Sequence, residues 1–149
     1  MENLIIYKEN RIENIKSIKY YKEMNVSWVL LDTFDFDKLE DLDRFFALAY
    51  YLKTYSINLL LNIDILKIVT KLINQDFTWS NPKIRKSFYQ FINFLIKRGI
   101  SGFYFTNLDK LLDEKSYLSL IKEFSKNTIN KDGIISVLKT SKNSEVLNF

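Results

Sequence analysis

The chain has 149 residues, 47% of them hydrophobic, a net charge of +4 spread along its length, and neither Cys nor His. That size and apolar content suit a single domain spanning 1–149 with a real core. The missing residue types exclude disulfides and thiolate chemistry and remove the commonest general base and metal ligand. Dispersed charge predicts solvated Lys-rich helix faces, not a nucleic-acid footprint.

Short apolar runs alternate with segments of helical period, the signature of βα repetition and a parallel sheet. Leu4 to Tyr7 reads as a first strand. Ile12, Ile15, Ile18 and Tyr21 then recur at helical spacing. Val26 to Leu31 is a near-continuous apolar run, as a strand covered on both faces requires, and Asp32 and Thr33 end it. Asp35 or Asp37 is positioned to cap a helix whose apolar stripe is Leu39, Leu42, Phe45, Phe46, Ala49 and Leu52. Ile57 to Ile63 reads as the third strand.

Asn81-Pro82 opens the next helix, Asn as N-cap and Pro at the first helical position. Its inward face is Ile84, Phe88, Phe91, Ile92 and Leu95, and Gly99 suits the left-handed residue just past its end. Gly102 to Phe105 is the fourth strand. Leu118, Ile121 and Phe124 mark a short helix, and Ile134 to Leu138 a fifth strand. From Ser141 onward an irregular or short helical tail is expected. Five strands alternating with four helices make about half of a (β/α)₈ barrel, which typically takes ~250 residues. The expected fold class is therefore α/β, a partial TIM-type barrel.

Several stretches carry a resemblance. Phe36-Asp37-Lys38-Leu39-Glu40-Asp41-Leu42-Asp43-Arg44-Phe45 looks like F-G-T-x-E-D-F-D-x-L. Trp79-Ser80-Asn81-Pro82-Lys83-Ile84-Arg85, running on to Ser101-Gly102-Phe103-Tyr104-Phe105-Thr106, looks like W-x-N-P-x-V-R followed by a helix and G-x-D-G-F-R-x-D. Both patterns belong to the alpha-amylase family of glycoside hydrolases, closest to its oligo-1,6-glucosidase branch, and the likeness runs from about Ile12 to Thr140. It implies a (β/α) barrel cut near the fifth strand and lacking the family's insert domain after the third.

The resemblance also implies lost chemistry. The family's D-x-x-x-N-H motif places its Asp and His at Asn62 and Lys67. Its arginine falls on Tyr104, its nucleophile on Thr106 and its acid/base on Lys139. A retaining glycosidase needs two carboxyl groups ~5 Å apart. Thr106 has no local base to activate it, and Lys139 is a cation at neutral pH. The expectation is a non-catalytic, glucosidase-like protein that serves as a protein-interaction or self-associating module, without cofactor or metal.

Asp32, Asp64 and Asp109 sit at or just beyond strand ends, the face where barrels place their sites, and are the candidate binding residues or relocated acids. Trp28, Phe103, Tyr104 and Phe105 are expected in the core, with sugar stacking as the alternative. Trp79 is expected to pack on the helix that follows it. An open sheet has unpaired edges, so a homodimer, a protein partner or the tail after Ser141 should cover them. Weak oligosaccharide binding is the second expectation. No apolar run approaches the ~20 residues that span a bilayer, and the N-terminal run is too short for a signal peptide. A cytoplasmic protein is expected, with no membrane and no nucleic acid among its partners.

Overall fold

A computed structural model describes residues 6–9, 15–32, 39–67, 79–108, 112–128, 135–139 and 144–148. Its elements run β1 (Ile6–Glu9), α1 (Ile18–Glu23), β2 (Trp28–Leu31), α2 (Leu39–Thr54), β3 (Asn58–Asp64), α3 (Pro82–Lys97), β4 (Gly102–Thr106), α4 (Glu114–Asn127), β5 (Ile135–Lys139) and β6 (Ser144–Asn148). The sheet order is β1-β2-β3-β4-β5-β6, with the first five strands parallel. Each strand pairs with its sequence neighbour, so every crossover turns the same way. Right-handed crossovers then put all the helices on one face. The burial agrees: one core cluster joins Tyr21, Phe45, Leu52, Phe88, Ile92 and Phe124 from the four helices to Val29, Leu31, Leu61, Ile63, Phe103 and Phe105 of the sheet. This winding is consistent with a partial (β/α) barrel-like fold.

The helices begin where local chemistry starts them. Ser17 accepts a hydrogen bond from Tyr20 N at 3.3 Å, Asn81 from Lys83 N at 3.0 Å and Asp113 from Ser116 N at 2.7 Å. Each satisfies one of the orphan N–H groups of a first turn. Pro82 occupies the start of α3 as expected. Asp35 and Asp37 lie outside the described residues.

Three helices end in the same way. Asn25, Ser56 and Gly99 have φ of 55°, 60° and 98°, one residue past the caps of α1, α2 and α3. At each turn the next residue donates back five positions: Val26 N to Tyr21 O at 2.9 Å, Ile57 N to Leu52 O at 3.0 Å and Ile100 N to Leu95 O at 3.2 Å. The left-handed residue itself donates to Lys22, Lys53 or Ile96 O at 3.0–3.1 Å. These are Schellman closures, and the apolar pairs that flank them are all buried.

Several expectations need correcting. The tail after Ser141 is not irregular or helical: Ser144–Asn148 is a strand, antiparallel to β5. The free N–H and C=O groups of a β5 edge are satisfied by the segment that follows it, so the chain covers that edge itself. The helix at Leu118 is longer, Glu114–Asn127, and its inward residues are Leu120 and Phe124 while Leu118 is 49% exposed. On α3 the buried face also takes in Tyr89 and Ile96. Trp79 is buried, its ring 5.6 Å from Phe88 and 6.0 Å from Tyr89. Phe103 and Phe105 are core residues with ring centroids 5.6 Å apart.

Candidate functional site

The other face of the sheet has two zones. Along the lower strands Trp28, Leu30 and Leu60 form a second, smaller buried cluster, with Tyr104 half-buried against it. Toward the C-terminal strand ends the same face becomes polar. Strand alternation produces this, since Leu60, Asn62 and Asp64 share a face of β3 while Leu59, Leu61 and Ile63 face the helices. Asn62 pairs with Tyr104 and Asp64 with Thr106, which brings the four onto neighbouring strands in one patch.

A hydrogen-bonded row crosses this patch. Thr106 Oγ1 donates to Asn62 Oδ1 at 3.2 Å, and Asn62 Nδ2 donates to Asp32 Oδ1 at 2.8 Å. Lys8 Nζ lies 3.3 Å from the other carboxylate oxygen, Oδ2 of Asp32. The row orients the Asn62 amide unambiguously, because only its NH₂ can donate to a carboxylate and only its carbonyl can accept from Thr106. Asp32 sits at the end of β2, where its own N–H donates to Glu9 O at 2.8 Å and extends the β1–β2 ladder. The Lys8–Asp32 pair is solvent-accessible, so it contributes at most ~1 kcal/mol to stability and serves mainly to set charge. The amide–carboxylate bond is charge-assisted and is the stronger link.

Of the residues singled out from the sequence, the structure joins Asp32, Asn62 and Thr106 directly and sets Tyr104 beside them. Asp64 shares their face, but its Oδ1 accepts from Leu66 N at 3.0 Å and closes the short helical turn 65–67. Lys67 is exposed in that turn, outside the row. Lys139 ends β5, two residues past Val137, the register partner of Tyr104. Asp109 lies outside the described residues. Lys8 went unrecognised in the sequence, where the apolar run Leu4 to Tyr7 ends just before it, whereas the strand runs on through Lys8 to Glu9. Asn107, just past Thr106, has φ 61° and turns the chain sharply away at the end of β4. Among the described residues no group of three or more His, Cys, Asp or Glu side chains is placed to hold a metal ion.

A second polar cluster lies away from the strand ends, in a groove between α3 and α4. Tyr89 Oη donates to Glu123 Oε1 at 3.1 Å, and Arg85 Nε lies 3.8 Å from the same oxygen. Arg85 Nη1 also donates to Trp79 O at 2.8 Å. Burial first, then the Glu123 carboxylate, raise the Tyr89 hydroxyl well above its ordinary value. The cluster locks two helices together and faces away from the row.

Comparison with known proteins gives a likeness of fold. No family model matches the chain, and no curated protein matches its sequence. Among solved structures, the glycoside hydrolase domain of PelA from Pseudomonas aeruginosa is similar with a TM-score of 0.53 at 14% identity. The match covers 93% of this chain and 60% of that chain, so the chain spans less than two thirds of its neighbour. The finding supports a glycoside-hydrolase-like fold and does not speak to the alpha-amylase family or to truncation.

Proposed function

We propose that this chain is a non-catalytic, glycoside-hydrolase-like module that holds a carbohydrate on its C-terminal strand ends without cleaving it. The observation that carries the reading is the row Thr106–Asn62–Asp32–Lys8. Glycosidic cleavage of the retaining type needs one carboxyl group aimed at the anomeric carbon and another ~5 Å away to protonate the leaving oxygen. In the row, the Thr106 hydroxyl donates to an amide carbonyl, which cannot take its proton. Both oxygens of Asp32 are occupied by donors, and Asp64 closes its own turn. Such an arrangement suits gripping hydroxyl groups, with the half-buried Tyr104 beside them for the apolar C–H face of a sugar ring. The resemblance points to neutral, glucose-type oligosaccharides.

Titration calorimetry with glucose, maltose and isomaltose, run beside a nitrophenyl-glucoside hydrolysis assay, tests this. Binding heat with at least one sugar and no turnover is the expected result. Turnover that disappears in Asp32→Asn or Asp64→Asn would instead assign relocated acids.

A second reading, a protein-interaction or self-associating module, draws on the outer side of β1, where no strand lies among the described residues. Sugars giving no heat, with light scattering showing a dimer at micromolar concentration, would favour it. Two observations count against needing a partner elsewhere on the sheet: β6 covers the β5 edge, and on the inner face Trp28, Leu30 and Leu60 are already buried.

A further inference from the structure

Among the described residues, five of the seven large apolar side chains that remain exposed lie at the C-terminal ends of α1, α2 and α3: Met24, Tyr50, Tyr51, Tyr55 and Phe94. Tyr50 is 74% exposed and Tyr51 52%, and the Tyr51 and Tyr55 rings meet edge-on at 5.5 Å. Parallel strands with helices on one face place these helix ends at one pole of the molecule, opposite the polar row. The same pole is basic. Lys22, Lys53, Lys97 and Lys126 occupy the last turns of the four helices, and Arg98 caps α3 over the rings of Phe94 and Phe46 at 5.4 and 5.7 Å. The carboxylate nearest them on α1, Glu23, is 3.9 Å from Lys19. Basic last-turn residues complement the negative end of the helix dipole, a role that requires no exposed aromatic beside them.

We propose that this pole docks on an anionic lipid bilayer, with Tyr50, Tyr51, Tyr55 and Phe94 at the headgroup level and Lys53, Lys97 and Arg98 paired with lipid phosphates. Tyrosine favours that level because its ring is apolar and its hydroxyl polar. Clustered Lys and Arg are drawn to the negative surface potential. The Schellman closures matter as well, since they satisfy carbonyls that a helix C-terminus would otherwise present uncapped to a low-dielectric surface. A second copy of the chain is the wrong occupant, because like charges would face one another. A broad face made from separate helix ends also fits a plane better than a slot would fit a single acidic peptide. No described helix is long and apolar enough to cross a membrane, so the contact is peripheral. It departs from the expectation of no membrane partner because a surface gathered from three helix ends leaves no apolar run in the sequence. Docked this way, the polar row faces away from the lipid and stays open to ligand.

The test is co-sedimentation of the full chain with vesicles of phosphatidylcholine alone and of phosphatidylcholine with phosphatidylglycerol at about two to one. Binding is expected only with phosphatidylglycerol, weakening about tenfold or more between roughly 0.05 and 0.5 M NaCl. Lys53→Glu combined with Lys97→Glu should weaken it by about tenfold or more. Tyr50→Ser combined with Tyr51→Ser should weaken it about threefold or more at unchanged salt dependence. Lys86→Glu with Lys83→Glu, the same charge change at the other end of α3, should leave it within about twofold. All these positions are exposed, and circular dichroism confirms the fold of each variant. Absence of binding, equal binding to neutral vesicles, or equal losses from the two lysine pairs would each overturn the proposal. Capture by polyglutamate but not by vesicles would do the same and would assign the pole to an acidic protein.

Discussion

Asn62 joins the Thr106 hydroxyl to the Asp32 carboxylate in the polar row, so Asn62→Ala tests the site most directly. The substitution removes a bond to a carboxylate at 2.8 Å and a neutral bond from Thr106 at 3.2 Å. Bonds to charged groups contribute about 1.5–3 kcal/mol and neutral ones about 0.5–1.5 kcal/mol. Asn62 and Thr106 are only half-buried, so water replaces part of what is lost and the expected cost is about 2 kcal/mol. With a urea m-value near 2 kcal/mol/M, that moves the unfolding midpoint by roughly 1 M. Thr106→Val alone should cost less, about 1 kcal/mol. Because the two residues share one bond, the double variant should be less destabilised than the sum of the singles by about 0.5–1.5 kcal/mol. In calorimetry, Asn62→Ala should also remove the heat of sugar binding. A cost for Asn62→Ala under about 0.5 kcal/mol, with the two substitutions additive to within about 0.3 kcal/mol, would refute the row as a coupled unit.

The remaining predictions concern the frame that holds the row. Ser56→Gly should raise stability by about 0.5–1 kcal/mol, since a serine at φ 60° carries a strain that glycine avoids. Gly99→Ala should lower it by about 1–2 kcal/mol through the backbone alone, because a Cβ there meets no atom within 4 Å; thermal unfolding of both variants checks the pair. Phe105→Ala, which empties a site between Phe88, Phe103 and Phe124, should cost about 3–5 kcal/mol in denaturant unfolding, whereas Leu118→Ser should change little. Burial raises the Tyr21 and Tyr89 hydroxyls above their ordinary value of 10.0, so the folded chain keeps protons that the unfolded chain releases. Their stabilising contribution is complete below about pH 10 and falls as pH rises beyond it, by up to ~1.4 kcal/mol per pH unit for each group. Tyr89→Phe should make the alkaline loss shallower in unfolding measured from pH 9 to pH 11.

What the sequence revealed and what it concealed divide along the range of the interactions. Asn81, Pro82 and Gly99 were readable because a cap, a fixed φ and a left-handed turn are each decided within a few residues. Asn25 was readable in principle, since Asn tolerates the left-handed region. Ser56 was not: serine has no preference for that conformation and is held there by the burial of Leu52 and Ile57 on either side. The recurring signal was a pair of apolar residues five apart, Tyr21 and Val26, Leu52 and Ile57, Leu95 and Ile100, each just before a strand. It is too sparse to register as a sequence repeat. Strand β6 was concealed for a different reason, because five residues become a strand only when an edge is waiting for them. The row was half legible. Alternation along β3 set Asn62 and Asp64 on one face, but the link from Asp32 to Lys8 depends on the register of β1 against β2, which no local pattern encodes. Leu118 looked like a core residue because its spacing to Ile121 and Phe124 is helical. The structure turns α4 so that Leu120 takes the inward place, a choice made by the sheet beneath it.

The two poles of the sheet consequently bear on different properties. At the N-terminal pole three Schellman closures bring the chain back from helix to strand, each with its own buried apolar pair, and substitutions there alter stability through backbone strain. At the C-terminal pole the chain leaves the strands through Asp32, Asp64 and Thr106-Asn107, and the polar contacts bind side chains on different strands to one another. Barrel folds distribute stability and function in the same way. Ser56→Gly should therefore raise the unfolding temperature and leave the affinity for any strand-end ligand unchanged, while Thr106→Val should shift that affinity by more than its modest effect on stability predicts. Were both substitutions to change affinity and stability in fixed proportion, the strand-end face would be acting through global folding, and the row would be structural only.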